Sequence, residues 1–440
     1  MRAVDIIAKK RDGLPLTKDE IDWFIAEYAG DSLPDYQASA FLMAVYFRGM
    51  TREETMHMTM ALVNSGDQLN LDDITDYAVD KHSSGGVGDK TSLVVLPLVS
   101  AIGVPVAKMS GRGLGFTGGT LDKMESIKGY NVNLTPEQFR DQARRIGLVL
   151  AGQTGDLAPA DGKLYALRDV TSTVSSLPLI ASSIMSKKIA SGANGIVLDV
   201  KVGEGAFMKE LDNARELAQI MVGIGTDVGR DVVAIVSDMN QPLGNAVGNA
   251  LELQEALETL NGAGPEDFRQ HCLTVATHMV MLAGRGQRWT DESAVHDELS
   301  ALLESGKVLL KFRDMVLAQG GDVTMIDDPA LLPKAPVTHV LKANRSGYLS
   351  RLSADKIGIA AMELGAGRER KGDAVNHAVG LKVHAKVGDN VGNASPLITV
   401  YANTMEQIPN CLKLLRPAIE YSDTPVEPFP LHYDVITAES

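Results

Sequence analysis

The sequence predicts an α/β protein: a small all-helical domain, a large α/β domain with a mainly parallel central sheet, and a C-terminal strand-rich α+β module. Three observations predict it. Apolar residues recur at helical spacing from Ala3 to Gly66, short apolar runs alternate with glycine loops and helical stretches after Asp67, and strand patterns dominate from Val337 onward. A chain of 440 residues also exceeds what one hydrophobic core normally supports, so more than one domain is expected.

In chain order, Ile6, Ile7 and Lys10 belong to a first helix, and Thr17 caps a second over 20–28. Helices over 37–47 and 53–64 follow, with Met43, Met56, Met58 and Met60 as core or subunit-contact residues. Strands are expected at 77–79, 104–107, 148–151, 196–200 and 232–236, each followed by a loop and helix, the pattern of βα units. Helical segments at 164–170 and 179–190 interrupt this alternation and are expected to join the N-terminal helices. The helical domain is then discontinuous, 1–66 with 159–192. It faces an α/β domain of 67–158 and 193–332 across a cleft. The module of 333–440 places strands at 338–341, 347–349, 380–385 and 396–400. Its turn rhythm resembles half of a biotinyl or lipoyl carrier but lacks a hairpin lysine for modification, so a scaffold role is expected.

The bulk composition excludes several classes. A formal net charge of −14 disfavours a nucleic-acid backbone as partner, which needs a basic surface. Only Cys272 and Cys411 are present, too few for a disulfide framework or a cysteine metal site. The first residues lack a secretory pattern, and the uncharged stretch 93–107 is short of a membrane span and broken by Pro97, Gly103 and Pro105. A cytoplasmic location without membrane contact is expected.

Chemistry concentrates in two loops. The first reads Asp80-Lys81-His82-Ser83-Ser84-Gly85-Gly86-Val87-Gly88-Asp89-Lys90-Thr91-Ser92, between a strand and a helix. Glycines let backbone N–H groups approach an anion, hydroxyls donate, and the helix start adds partial positive charge, which makes a phosphate cradle. The spacing is not that of a nucleotide-triphosphate loop. The second runs from Lys108, Met109 and Ser110 through Gly111, Arg112 and Gly113 to Thr120. One glycine run alone is weak evidence, but two basic, hydroxyl-bearing loops at successive strand ends can converge on one anion from adjacent strands. A third cluster is Arg168 with Ser183 and Lys187, the last two four residues apart and so on one helix face. These donors match the carbonyl oxygens of a pyrimidine, although such residues taken singly are more often solvated surface charge.

The segments 79–89, 108–123, 152–155, 158–161, 165–170 and 182–188 closely resemble the thymidine and pyrimidine-nucleoside phosphorylases, and the similarity runs from Val4 nearly to the last strand. The resemblance implies a homodimer formed through the helical domain, with a pyrimidine nucleoside and inorganic phosphate as substrates and no organic cofactor. It assigns Lys81, Ser83, Ser92, Lys108, Met109, Ser110 and Thr120 to phosphate. His82, Arg168, Ser183 and Lys187 go to the pyrimidine, with His82, Arg168 and Lys187 catalytic and Leu114, Thr117 and Ile180 lining the nucleoside pocket. Phosphate then attacks the anomeric carbon opposite the base, and His82, with an ordinary pKa of about 6.5, can hydrogen-bond or protonate a carbonyl oxygen. The resemblance also implies a potassium site, matched by Gly88, Leu243, Ala246 and Glu255. There Lys90 stands where ion-binding relatives often carry a small residue, and the sequence leaves open whether it admits the ion. Phe116 replaces the histidine usual in the second loop.

Two relatives of this chemistry are weaker matches. Strict thymidine phosphorylases often carry an apolar residue at the position of Lys108, and anthranilate phosphoribosyltransferases require a paired acidic magnesium-diphosphate site that no motif here supplies. A carrier or scaffold protein would not need the Lys81-His82-Ser83 and Arg168, Ser183, Lys187 sets.

Overall fold

The computed structural model describes the whole chain apart from positions 114, 117, 154–156, 369, 371 and 440. Leu114 and Thr117, expected at the nucleoside, lie outside the described residues.

Helices α1 (Ala3–Arg11), α2 (Lys18–Ala29), α3 (Asp35–Arg48) and α4 (Arg52–Val63) open the chain. Thr17 and Thr51 start α2 and α4 with capping boxes, each hydroxyl accepting the backbone N–H of a glutamate three residues on. Glu54 has a second task. Buried in the bundle, it accepts both from Lys10 Nζ at 2.7 Å and from the Leu16 backbone. Ala160, Leu164 and Leu179, from the later segments, pack into the same core as Ile21, Phe24, Phe41 and Leu42.

The chain then alternates through β1 (Val79–Ser83), α5 (Thr91–Ala101), β2 (Val106–Ser110), α6 (Thr120–Met124), α7 (Pro136–Ile146) and β3 (Leu148–Gly152). Helices α8 (Pro159–Val170) and α9 (Leu177–Ala190) return to the helical domain, where Ser182 Oγ donates to the Thr55 carbonyl of α4 at 3.3 Å. Next come β4 (Gly195–Val202), α10 (Leu211–Asp227), β5 (Asp231–Asp238), β6 (Ala246–Val247), α11 (Asn249–Leu260), α12 (Glu266–Gly284), α13 (Glu292–Glu304), α14 (Lys307–Ala318) and α15 (Thr324–Asp327). Strands β1, β4 and β5 are parallel, with Lys81 opposite Val197 and Ser83 opposite Asp199. Helix α5 is apolar and buried along nearly its whole length, as befits a helix covered on every side.

The last part comprises β7 (Val337–Lys342), β8 (Gly347–Leu352), α16 (Ala354–Glu363), β9 (Gly380–Val383), β10 (Asn390–Val391), β11 (Pro396–Ala402), α17 (Gln407–Leu415), β12 (Ile419–Ser422) and β13 (His432–Ile436). It is interleaved with the large domain. Strand β6 joins β9, β11 and β7 in one sheet, while β13 returns to pair antiparallel with β5 at the edge of the main sheet.

Two strand expectations need correction. The first strand begins at Val79 rather than ending there, and the second runs 106–110 rather than 104–107, so Asp80, Lys81, His82, Lys108, Met109 and Ser110 sit on strands. Apolar runs mark strands only where burial excludes charge, and here Asp80 and Lys108 are buried as partners of one another. In addition, β2 pairs with β3 in a separate ladder, not with β1. The two glycine loops therefore do not leave adjacent ladder strands. Lys108 bridges the gap instead, donating from Nζ to the Lys81 carbonyl on β1.

Candidate active site

Alternation along β1 turns Asp80 and Lys81 to opposite faces. Asp80 is fully buried, and its carboxylate accepts from Lys188 Nζ at 2.6 Å, from Lys108 Nζ at 3.3 Å and from the Lys81 backbone at 2.7 Å. Burial opposes its ionisation, but the two ammonium groups outweigh that and hold its pKa at about 2. Lys108 has the opposite imbalance. Burial, with the Lys188 and Lys81 charges against only Asp80, pushes its pKa down to about 7.

On the other face Lys81 is 1% exposed, and its Nζ has no hydrogen-bond partner among the described residues, with Asp199 3.8 Å away. Asp199 is committed elsewhere, to Ser237 Oγ at 2.6 Å, His271 Nε2 at 2.9 Å and Lys201 Nζ at 2.9 Å. His271 in turn meets His432 of β13 at 3.0 Å. A buried ammonium without an acceptor is costly, and an anion would relieve it.

A cleft of about 840 Å³ opens above these strands. Of the residues expected at phosphate, Ser83, Ser92, Lys108, Met109, Ser110 and Thr120 line it, while Lys81 lies beneath and does not reach the wall. Ser83 Oγ already donates to Asp89, whose other oxygen accepts from Thr91 Oγ1 at 2.7 Å and from the Thr91 backbone N–H at 3.2 Å. Ser92 sits in the first turn of α5, where the helix dipole favours an anion.

The second loop is held from the C-terminal module. Arg368 bonds Asp122 Oδ1 at 2.7 Å and the Gly113 carbonyl at 3.2 Å, while its own carbonyl accepts from Gly115 N–H at 2.9 Å. Phe116, half-buried on the cleft wall, lies against α16 at Gly358, where a Cβ would stand 2.8 Å from the ring's Cδ2. No larger residue fits there.

The opposite wall comes from α8 and α9, with Tyr165, Arg168, Ile180, Ser183, Ile184 and Lys187. Ser183 and Lys187 share a face, with Lys187 Nζ 3.2 Å from Ser183 Oγ and 2.6 Å from buried Asp161. Arg168 donates to the carbonyls of Thr173 at 3.4 Å, Val174 at 2.7 Å and Leu179 at 3.0 Å, which pins the α8–α9 connection. Each terminal nitrogen keeps a second N–H. His82 lies between the walls. Burial, then the Lys188, Lys108 and Lys187 charges, push its pKa well below the usual histidine range. This corrects the expectation of titration near neutrality: the imidazole is neutral there.

Several residues of the site carried no role in the sequence reading. Lys188 on the wall and Asp161, the partner of Lys187, stand inside matched segments, and Phe207, Met208 and Lys209 come from the loop after β4. Gly203 and Gly205, following an apolar strand, are the signal that would have found that loop. Arg368 has no local signal. Gly88, Leu243, Ala246 and Glu255 do converge, and they converge on Lys90 Nζ.

Comparison with known proteins matches 4–66 to "Glycosyl transferase family, helical bundle domain" and 75–309 to "Glycosyl transferase family, a/b domain". Residues 348–422 match "Pyrimidine nucleoside phosphorylase C-terminal domain". A pyrimidine-nucleoside phosphorylase of Geobacillus stearothermophilus is 53% identical over 437 residues, 99% of this chain and 100% of the relative. One from Staphylococcus haemolyticus is 52% identical over 432 residues, 98% and 99% of the two chains. Among solved structures, anthranilate phosphoribosyltransferase from Thermus thermophilus aligns with a TM-score of 0.59 over 72% of this chain and 99% of its own, at 17% identity. That likeness is one of fold.

The depressed Lys108 pKa generates a linkage prediction. At about pH 7.5 much of Lys108 is neutral, and an anion beside it raises its pKa, so binding takes up protons. Calorimetric titration of inorganic phosphate in buffers of different ionisation enthalpy should show greater proton uptake for the wild type than for Lys108→Met. Equal uptake would mean that the anion does not meet Lys108.

Proposed function

The chain belongs to the pyrimidine-nucleoside phosphorylases of the glycosyl transferase family, and from that membership we propose how its cleft performs reversible phosphorolysis of thymidine, deoxyuridine and uridine to free base and pentose 1-phosphate. The observation that carries the reading is the orphaned, buried Lys81 ammonium under a wall of glycine loops, faced by Arg168, Ser183 and Lys187.

We assign phosphate to Ser92, Lys108, Ser110 and Thr120, with Lys81 beneath it and Met109 packing the wall. Ser83 contributes once its hydroxyl turns from Asp89. The pyrimidine lies against Ile180, with its carbonyl oxygens toward Ser183, Lys187 and the remaining N–H groups of Arg168. Attack on the anomeric carbon from the phosphate side drives electrons into the base. The resulting negative charge is stabilised by Lys187, oriented by Asp161, and by a hydrogen bond from neutral His82. Pre-set donors aimed at the developing charge need no reorganisation during the step. Closing the walls would exclude water and align the reactants. Lys108 on the cleft wall supports the broader substrate range that includes uridine.

We further propose a cytoplasmic homodimer associating through the helical domain. Both cysteines are free and buried, and no helix among the described residues is long and apolar enough to cross a membrane. Tyr36 and Phe47, each 75% exposed, and Tyr46 give α3 an aromatic surface of the kind that subunit contacts cover.

Base release from thymidine should require phosphate and yield deoxyribose 1-phosphate, with uridine also cleaved. Equal release in phosphate-free buffer would instead indicate a hydrolase. Lys187→Met keeps the stem and removes the charge, a loss worth about 1.5–3 kcal/mol for a charge-assisted contact, so turnover should fall at least about tenfold. Phosphate affinity of the free variant, read by calorimetry, should change little. Normal turnover with weakened phosphate binding would reverse the division of the cleft.

A further inference from the structure

Helix α11 stands behind both glycine loops. Its Glu252 and Glu255 lie three residues apart and so project from neighbouring positions of one face. Glu252 pairs at 2.9 Å with Lys123, whose Nζ donates to the carbonyls of Asp89 at 2.6 Å and Gly118 at 3.2 Å. Glu255 pairs with Lys90, the residue just before α5. One helix thus anchors the end of each loop through a buried ion pair.

The Lys90 end has the form of an ion cage. Its Nζ is 2.8 Å from the Leu243 carbonyl, 3.0 Å from that of Gly88 and 3.5 Å from that of Ala246, with Glu255 completing the oxygen set. The Phe268 ring centroid lies 4.7 Å away. Glu255 is fixed from behind by the backbone N–H groups of Asn245 and Ala246, each at 3.0 Å. Gly88 adopts a φ of +72°, and a Cβ there would stand 2.6 Å from the Leu243 oxygen, so the carbonyls can close around the nitrogen only with glycine at this turn. An ammonium has three N–H donors, and the short contacts already use them. The cage therefore does not fit an alkali-metal ion beside Lys90: its oxygens are taken, and a second cation there would face the ammonium at contact distance in a poorly screened interior.

We propose that Lys90 is a tethered replacement for a monovalent cation, a positioning residue that ties the first glycine loop to α11 and lets the anion cradle hold its shape without potassium. The effect on phosphate rests on the phosphorylase reading; the cage itself does not.

The test compares potassium chloride with choline chloride at equal ionic strength. Wild-type protein should melt at the same temperature and turn over equally in both, and equilibrium dialysis should find no saturable rubidium binding. Lys90→Thr and Lys90→Ala empty the cage and leave Glu255 unpaired. In choline chloride they should melt about 5 °C lower than the wild type, with phosphate KM raised severalfold and thymidine KM nearly unchanged. Potassium should restore both properties saturably. Saturable rubidium binding by the wild type would overturn the proposal, as would variants whose defects, or failure to fold, are the same in both salts. Melting and rubidium binding involve no turnover, so a wrong substrate assignment would spoil the KM split and leave those two readouts intact.

Discussion

An anion-binding cleft made of protein must bury positive charge, and every buried ammonium needs an oxygen. Lys90, Lys108, Lys123, Lys188 and Lys201 are all almost inaccessible to water, and each has carboxylate or carbonyl partners. Their carboxylates are supplied by Asp80, Asp199, Glu252 and Glu255, which come from β1, β4 and α11. Lys81 departs from the pattern, since Asp199, 3.8 Å away, is shared three ways and its Nζ is left without a hydrogen bond among the described residues. In the proposed reading, phosphate supplies the missing acceptor. Burying a paired ion gains little stability in itself, because desolvation offsets the attraction. The network is better understood as fixing geometry.

Distant parts of the chain serve that geometry. The C-terminal module holds the second loop through Arg368 and through α16, whose Gly358 lies against Phe116, while its last strand brings His432 to His271, a partner of Asp199. The helical domain brings Lys188 as well as Lys187, so α9 contributes to both sides of the cleft: one lysine reaches down to Asp80 and its neighbour stays in the opening with Asp161. Movement of α9 would therefore disturb both walls.

Much of this was legible in the sequence because it is local. Helical spacing and the Thr17 cap announce the first helices, and loops dense in glycine, serine and lysine announce the cradle. Ser183 and Lys187 are found by a spacing rule. The rest depends on partners far apart in the chain. Strand boundaries were displaced because Asp80 and Lys108 look like loop residues until their mutual pairing is known. The neutral state of His82 follows from burial and from three lysines on two elements, Lys108 of β2 with Lys187 and Lys188 of α9, that only the fold assembles. The grip of Arg368 on a loop some 250 residues earlier leaves no trace in spacing, and neither does the capture of the Lys90 ammonium by carbonyls of Leu243 and Ala246.

The central claim is that phosphate and base occupy opposing walls, so that phosphate displaces the base directly. The anomeric configuration of the first-formed pentose 1-phosphate tests this, read from the anomeric proton coupling in NMR spectra of the reaction as it proceeds. A β-nucleoside should give the α-pentose 1-phosphate by a single inversion. Formation of the β-anomer would require a covalent enzyme intermediate and would contradict the division of the cleft.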